Sequence, residues 1–334
     1  MNNAITQSKK VNFSILITSA FLILLTAMLI INPAKYINSC YNGLVIWVSC
    51  VLPSLFPFFV ITKLLTELKS LDKFFGKFEK VNKLLFNAPR CSGYIFGMSI
   101  ISGYPVGAKL ISDFYENGMI SSRQANKLTT FCSTSGPLFI IGTVGAIMLG
   151  DIRLGYILYA SHILSAILNG ILFRKAYASN DENKMDKSKP TDYSTMLSRV
   201  MTNSITSVMV VGGFVAMFYM IIDILADTNI IFPLQKLLEL ILSPLGLKQV
   251  ANSLSFGIIE VTRGCKELAS LSIPLITKTT ICSGVITFGG MSIHAQSLSF
   301  LTKAKVSTKF YFAQKITQTI FACVICYLLC LIFL

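Results

Sequence analysis

Long apolar runs separated by short basic loops constrain this chain more than any other feature. An α-helix needs about 20 predominantly apolar residues to cross a bilayer. Stretches of that kind occupy 13–31, 43–65, 128–149, 154–173, 205–225, 275–301 and 311–334. Charged residues are 13% of the 334-residue chain, against about 25% in ordinary soluble domains. A water-soluble fold of this size could not cover so much apolar surface. The chain is therefore expected to use lipid as part of its solvent, as an all-α polytopic membrane protein.

The formal net charge of +14 does not point to nucleic acid. The basic residues fall between apolar stretches and form no aromatic-laced patch, which is the pattern of cytoplasmic loops. Residues 1–10 precede an apolar run too long for the core of a signal peptide, with no small-residue cleavage pattern after it. Nine cysteines show no metal-ligand spacing in a polar context. Cys323, Cys326 and Cys330 share helical spacing inside the last apolar run, where a thiol acts as a small hydrophobe. No Ser/His/Asp order, phosphate loop or paired metal ligands stands out. The sequence gives no sign of an enzyme, a metal or a resident cofactor, although a coupling ion stays open.

Two further apolar stretches, 92–117 and 252–271, are interrupted by Gly, Pro and charge and are not expected to traverse. If both dip into the membrane and return, most of the 29 Lys and Arg residues fall on one side. Lys35, Arg153, Lys236 and Lys248 are then outside, and Lys109, Arg263, Lys266, Lys278 and Lys315 lie at membrane depth. That asymmetry is the expected one. The predicted fold therefore has about seven transmembrane helices plus two re-entrant helical hairpins.

The two halves echo each other. Phe96-Gly97 recurs as Phe256-Gly257, Gly107-Ala108-Lys109-Leu110 resembles Gly264 to Leu268, and Cys132-Ser133 recurs as Cys282-Ser283. The predicted organisation is an extra helix at 1–34, then a first repeat over 43–175 containing an amphipathic helix and the 92–117 hairpin. A cytoplasmic connector at 176–199 leads to a second, inverted repeat over 200–334 containing the 252–271 hairpin. Inverted repeats are common in secondary transporters, with the ligand at the repeat interface.

Candidate binding residues cluster where the apolar pattern breaks. In the first hairpin they are Ser102, Gly103, Tyr104 and Lys109, around a Pro105 that removes a backbone donor. Irregular backbone at membrane depth is tolerated only where protein buries it or water reaches it. The second hairpin contributes Glu260, Thr262 and Arg263, and ionisable groups at such depth default to function. Ser133, Thr134 and Ser135 precede Gly136-Pro137, and Thr287 and Ser292 flank Gly289-Gly290. Broken helices there would offer unpaired N–H groups to an anion. Lys109 and Arg263 occupy corresponding hairpin positions and are expected to converge on one central site. His162 and His294 read as satisfied structural groups.

These stretches also carry a resemblance. Residues 91–109, 131–137, 256–265 and 51–57 resemble the YlbJ family of sporulation integral membrane proteins, also called stage V sporulation protein VV. The gate, or nucleoside-recognition, modules of that family are distantly similar to concentrative nucleoside transporters, which are elevator-type carriers. The resemblance implies transport of dipicolinic acid across the outer forespore membrane. The expected partners are a small organic anion and the lipid bilayer, and a homo-oligomer stays open. A nucleoside or other small-solute carrier of the cell membrane, or a non-transporting sporulation scaffold or sensor, are the other readings.

Overall fold

A computed structural model describes residues 2–67, 79–177 and 193–334. The lysine-rich stretch 68–78, most of the first amphipathic stretch, and most of the connector, 178–192, lie outside the described residues. Every regular element among the described residues is helical.

The first two helices, α1 (Asn2–Ile31) and α2 (Pro33–Ile46), meet at 109°. Proline excludes the preceding residue from helical geometry, and Asn32 accordingly has φ −136° and ψ 66°. From α2 the chain passes through a π-helical turn, Trp47–Val51, into α3 (Leu52–Glu67). Pro53 and Pro57 each lack the amide that would bond one turn back, so this stretch is a jointed rod.

The first half continues with α4 (Glu79–Phe86), α5 (Ser92–Ser102), α6 (Val106–Glu116) and α7 (Ser122–Thr129). A π-helical segment, Leu138–Met148, and α8 (Ile152–Leu172) complete it. The second half comprises α9 (Tyr193–Asp227), α10 (Phe232–Leu242), α11 (Val250–Ile259), α12 (Val261–Ser270), α13 (Leu275–Phe288), α14 (Gly290–Leu301) and α15 (Thr308–Phe333).

Among the described residues three helices are long and apolar enough to cross a membrane: Ile152–Leu172, Thr195–Asp227 and Thr308–Phe333. The bent α1–α2 pair makes a fourth if it is one span. Of the expected seven or so transmembrane helices, these three are the ones that run as continuous apolar helices of spanning length. The stretch 128–149 loses helical geometry over 130–136, and 275–301 is cut at Gly289 and Gly290. The stretch 43–65 contains the π turn and its prolines. Hydropathy averages over such breaks, because the residues that make them are few and small.

On α15, Ile316, Ile320, Val324, Leu328 and Leu331 form an exposed stripe, while Tyr311, Gln314, Lys315, Gln318, Ala322, Cys326 and Cys330 are buried. The apolar face looks outward and the polar face inward, the reverse of a soluble amphipathic helix. Lipid is the solvent that permits this, and the chain is an integral membrane protein.

Packing pairs elements across the halves. Trp47, Val51, Leu55 and Phe59 pack against Val208, Val211, Val215 and Tyr219 of α9. Helix α8 packs on α15, α6 packs on α14, and α12 packs on the segment Leu138–Met148. The α8 end is held by Lys127, whose ammonium donates to the carbonyls of Phe173 (2.5 Å), Arg174 (2.6 Å) and Ala176 (3.1 Å). Those carbonyls follow the end of α8, where a cation is the natural cap.

Candidate functional site

Two helix pairs and two helix breaks build the site. Helix α5 stops at Gly103, whose φ of +78° disfavours any side chain. A Cβ there would also lie 2.3 Å from the Gly136 nitrogen, so the first hairpin tip rests directly on the non-helical segment before Pro137. The Tyr104–Pro105 bond is cis, and α6 starts at Val106.

The second half repeats the arrangement with other residues. Glu260 separates α11 from α12 with extended geometry, and its carboxylate caps α12 by accepting the Arg263 N–H at 2.7 Å. That side chain is 1% exposed. Gly290 has φ +69°, and a Cβ on it would stand 3.0 Å from the Gly257 carbonyl and 3.2 Å from that of Ile259. The second break therefore lies against the second hairpin tip.

The four irregular segments enclose one cavity of about 60 Å³. Gly103 and Tyr104 come from the first tip, Ser135 and Gly136 from the first break, Glu260 and Thr262 from the second tip, and Ser292 and Gln296 from α14. Val51, Leu55, Val211 and Val215 form the apolar wall from α3 and α9.

Behind Tyr104 and Ser135 lies a buried polar network. The Ser135 N–H donates to His162 Nε2 at 2.8 Å, and His162 Nδ1 is 2.9 Å from Thr287 Oγ1. An Nε2 that accepts carries no proton, so Nδ1 is the protonated nitrogen and donates to Thr287. One neutral imidazole thus joins the two helix breaks. Lys315, fully buried, donates to Tyr104 Oη (2.8 Å), the Ser133 carbonyl (2.6 Å) and Gln318 Oε1 (3.2 Å). All three ammonium protons have an oxygen, and none of those oxygens belongs to a carboxylate.

Of the residues singled out from the sequence, Gly103, Tyr104, Ser135, Glu260, Thr262 and Ser292 share the central cavity. Ser102 is buried at the first tip. Ser133 binds Lys315 through its carbonyl, Thr134 Oγ1 is 2.8 Å from Ser99 Oγ, and Thr287 is held by His162.

Lys109 and Arg263 do not line this cavity, so the expected convergence of the two cations is absent from the structure. Lys109 lines a separate cavity beside α3 and α9. Arg263 reaches Asp223 of α9 at 2.7 Å, donates to the Tyr219 carbonyl at 3.3 Å and lies 4.8 Å from the Phe256 ring centre. Asp223 also accepts from Ser39 of α2. A guanidinium largely removed from solvent needs a counter-charge, and Asp223, set within the apolar run of α9, supplies it. Asp223, Gln296, His162 and Lys315 are site residues beyond those expected from sequence. Their signal was a polar group within a span; for Lys315 it was the Gln314, Lys315, Gln318 spacing on one face of α15.

Among the described residues no three His, Cys, Asp or Glu side chains gather as a metal site. No family model matches the chain. A solved structure of CNTnw, a double variant in an outward-facing state, is similar with a TM-score of 0.52 and 14% identity. The similarity covers 94% of this chain and 92% of that one. Fold and site thus define an all-α membrane protein with the fold of CNTnw. In sequence the chain is 27% identical over 343 aligned positions to the sporulation integral membrane protein YlbJ of Bacillus subtilis (strain 168). The match spans 94% of this chain and 82% of that protein. The chain is a distant homologue of YlbJ, and the likeness runs through nearly its whole length.

Proposed function

We propose that this protein is a carrier of a small organic anion, dipicolinic acid, across the outer forespore membrane, with the central cavity as its solute site. The observation that carries the reading is the meeting of both hairpin tips and both helix breaks around one cavity. A site made of tips and breaks is bounded by backbone that can shift without unwinding a whole span. At about 60 Å³ it is smaller than the several hundred Å³ of usual ligand pockets. Displacement of a hairpin, in an elevator-type cycle, would enlarge it.

The organisation proposed for this cycle is the inverted repeat of 43–175 and 200–334, with hairpins that dip and return. The exchanged packing of α6 on α14, and of α12 on Leu138–Met148, supports it. A cysteine placed at Ser188 would then be labelled only from the cytoplasmic side.

Charge supports an anion. The Lys315 ammonium stands one side chain behind the cavity wall with no carboxylate among its hydrogen-bond partners, and low dielectric lengthens its reach. Glu260 favours a second reading, a neutral hydroxyl-rich solute such as a nucleoside, because its carboxylate and Gln296 both face the cavity.

Uptake of labelled dipicolinate into proteoliposomes holding only this protein tests the first reading. Saturable uptake, unaffected by excess nucleoside, is the expected result. Uptake of nucleoside instead would support the second reading, and uptake of neither would leave a scaffold or sensor. In cells, deletion is expected to give spores poor in dipicolinate and weak in heat resistance while engulfment proceeds.

A further inference from the structure

The cavity that holds Lys109 is larger than the central one, about 400 Å³. Lys63 of α3 and Lys109 and Asp113 of α6 line it, with Asn203 and Ser207 of α9. The lining therefore sets two amino groups against one carboxyl.

Its position is set by helix periodicity. Along the π turn and α3, Val51 and Leu55 line the central cavity, whereas Phe59 and Lys63, four and eight residues past Leu55, line the larger one. Along α9, Val215 and Val211 line the central cavity, whereas Ser207 and Asn203 line the larger. Steps of four keep one helix face, and eight residues advance about 12 Å. At the first hairpin the boundary falls between Tyr104 and Pro105. The two cavities are therefore consecutive chambers along one groove between α3, α9 and the first hairpin, with Phe59, Pro105 and Val106 at the junction.

We propose that the larger chamber is a second oxyanion site, in which Lys63 and Lys109 hold a carboxylate of the solute before it passes the first hairpin tip. The proposal rests on the anion reading above. Two ammonium groups in a cleft with low-dielectric walls raise the local concentration of anions. Paired lysines also match a ligand with two carboxylates, whereas among the described residues no Lys or Arg lines the inner cavity. Asp113 acts as the resident competitor: it balances the lysines when the chamber is empty and yields them to the solute. That role explains a carboxylate beside the lysines better than a fixed ion pair does, because a fixed pair requires no chamber of ligand size.

The test is dipicolinate transport by the full-length protein in vesicles of zwitterionic lipid, together with titration of dipicolinate onto the protein in nanodiscs of the same lipid. Lys63→Gln and Lys109→Gln are each expected to raise KM about tenfold with kcat little changed, as befits loss of one hydrogen bond to a charged group. Asp113→Asn is expected to lower KM and tighten binding. Wild-type KM in both lysine variants, or weaker binding with low abundance in Asp113→Asn, would overturn the second site while leaving the carrier reading intact. Absence of wild-type dipicolinate transport would instead overturn that reading and the proposal with it. Repeating the titration with added anionic lipid separates the sources of the oxyanion. Unchanged affinity supports the solute, and full competition by the lipid assigns the lysines to a headgroup and overturns the proposal.

Discussion

Lys315 on the last helix donates a 2.8 Å hydrogen bond to the hydroxyl of Tyr104 at the tip of the first hairpin, 211 residues earlier. The ammonium also lies 4.9 Å from the centre of the Tyr104 ring, within the range of a cation–π contact. Tyr104 is a wall of the central cavity, so the shape of that wall depends on a charge from α15. The same ammonium holds the Ser133 carbonyl at the first helix break. One side chain therefore clamps the tip to the break.

Lys315→Met should lower uptake more than tenfold and reduce stability, since it strands the Ser133 carbonyl and the Gln318 amide oxygen in a dry interior. Each unmatched buried group costs about 1–3 kcal/mol. Lys315→Arg should not restore uptake, because a planar fork cannot reproduce three converging ammonium bonds. Tyr104→Phe should cost only about 1 kcal/mol. Thermal unfolding of Tyr104→Phe, Lys315→Met and the double variant should give effects that are not additive; strict additivity would mean that the contact carries no coupling.

The Arg263–Asp223 pair joins the second hairpin to α9, and it should behave as a structural latch. Both side chains retain some exposure, 17% and 23%, so breaking the pair is expected to cost about 1–3 kcal/mol, less than the 3–5 kcal/mol of a fully buried one. Arg263→Ala and Asp223→Ala should each reduce protein abundance. Arg263→Gln combined with Asp223→Asn should recover it with KM near wild type. A raised KM that persists in the neutral double variant would place Arg263 on the solute after all.

His162→Leu removes the acceptor of the Ser135 N–H and the donor to Thr287 together. Two buried groups lose their partners, so destabilisation of about 2–4 kcal/mol is expected, with uptake falling in step. His162→Gln keeps an acceptor and a donor and should retain more of both. Equal loss in the two variants, measured by thermal unfolding and uptake, would argue against the bridging role.

Gly103→Ala and Gly136→Ala should differ sharply although the two glycines touch. The first forces a side chain into positive φ and to within 2.3 Å of backbone, whereas the closest atom to a Cβ on Gly136 is at 3.2 Å. Strained backbone alone costs about 1–3 kcal/mol. Gly103→Ala should therefore abolish accumulation or uptake, and Gly136→Ala should reduce them modestly. Normal uptake in Gly103→Ala would mean that the tip does not sit on the break.

The membrane character of this chain, and the positions where its helices break, follow from local chemistry that the sequence states outright. The apolar runs at 154–173 and 311–334 are long enough to span. Pro33 excludes Asn32 from helical geometry, Gly103-Tyr104-Pro105 cannot continue a helix, and Gly289-Gly290 supplies the positive φ values of a break. Each depends on a residue and its immediate neighbours, so each was legible. Six of the twelve singled-out residues meet around one cavity because the breaks that made them conspicuous also meet there. The partner of each buried polar group is a different matter. Arg263 was expected to face Lys109 and instead pairs with Asp223, while Lys315 was placed at membrane depth without a partner. Within lipid, apolar side chains gain little by turning toward a neighbouring helix, so rotation and register are set by close packing and by interhelical hydrogen bonds. Those depend on all the packed helices at once. Only the tertiary structure decided that the ammonium of α15 would stand on Tyr104, and that one imidazole of α8 would join Ser135 to Thr287.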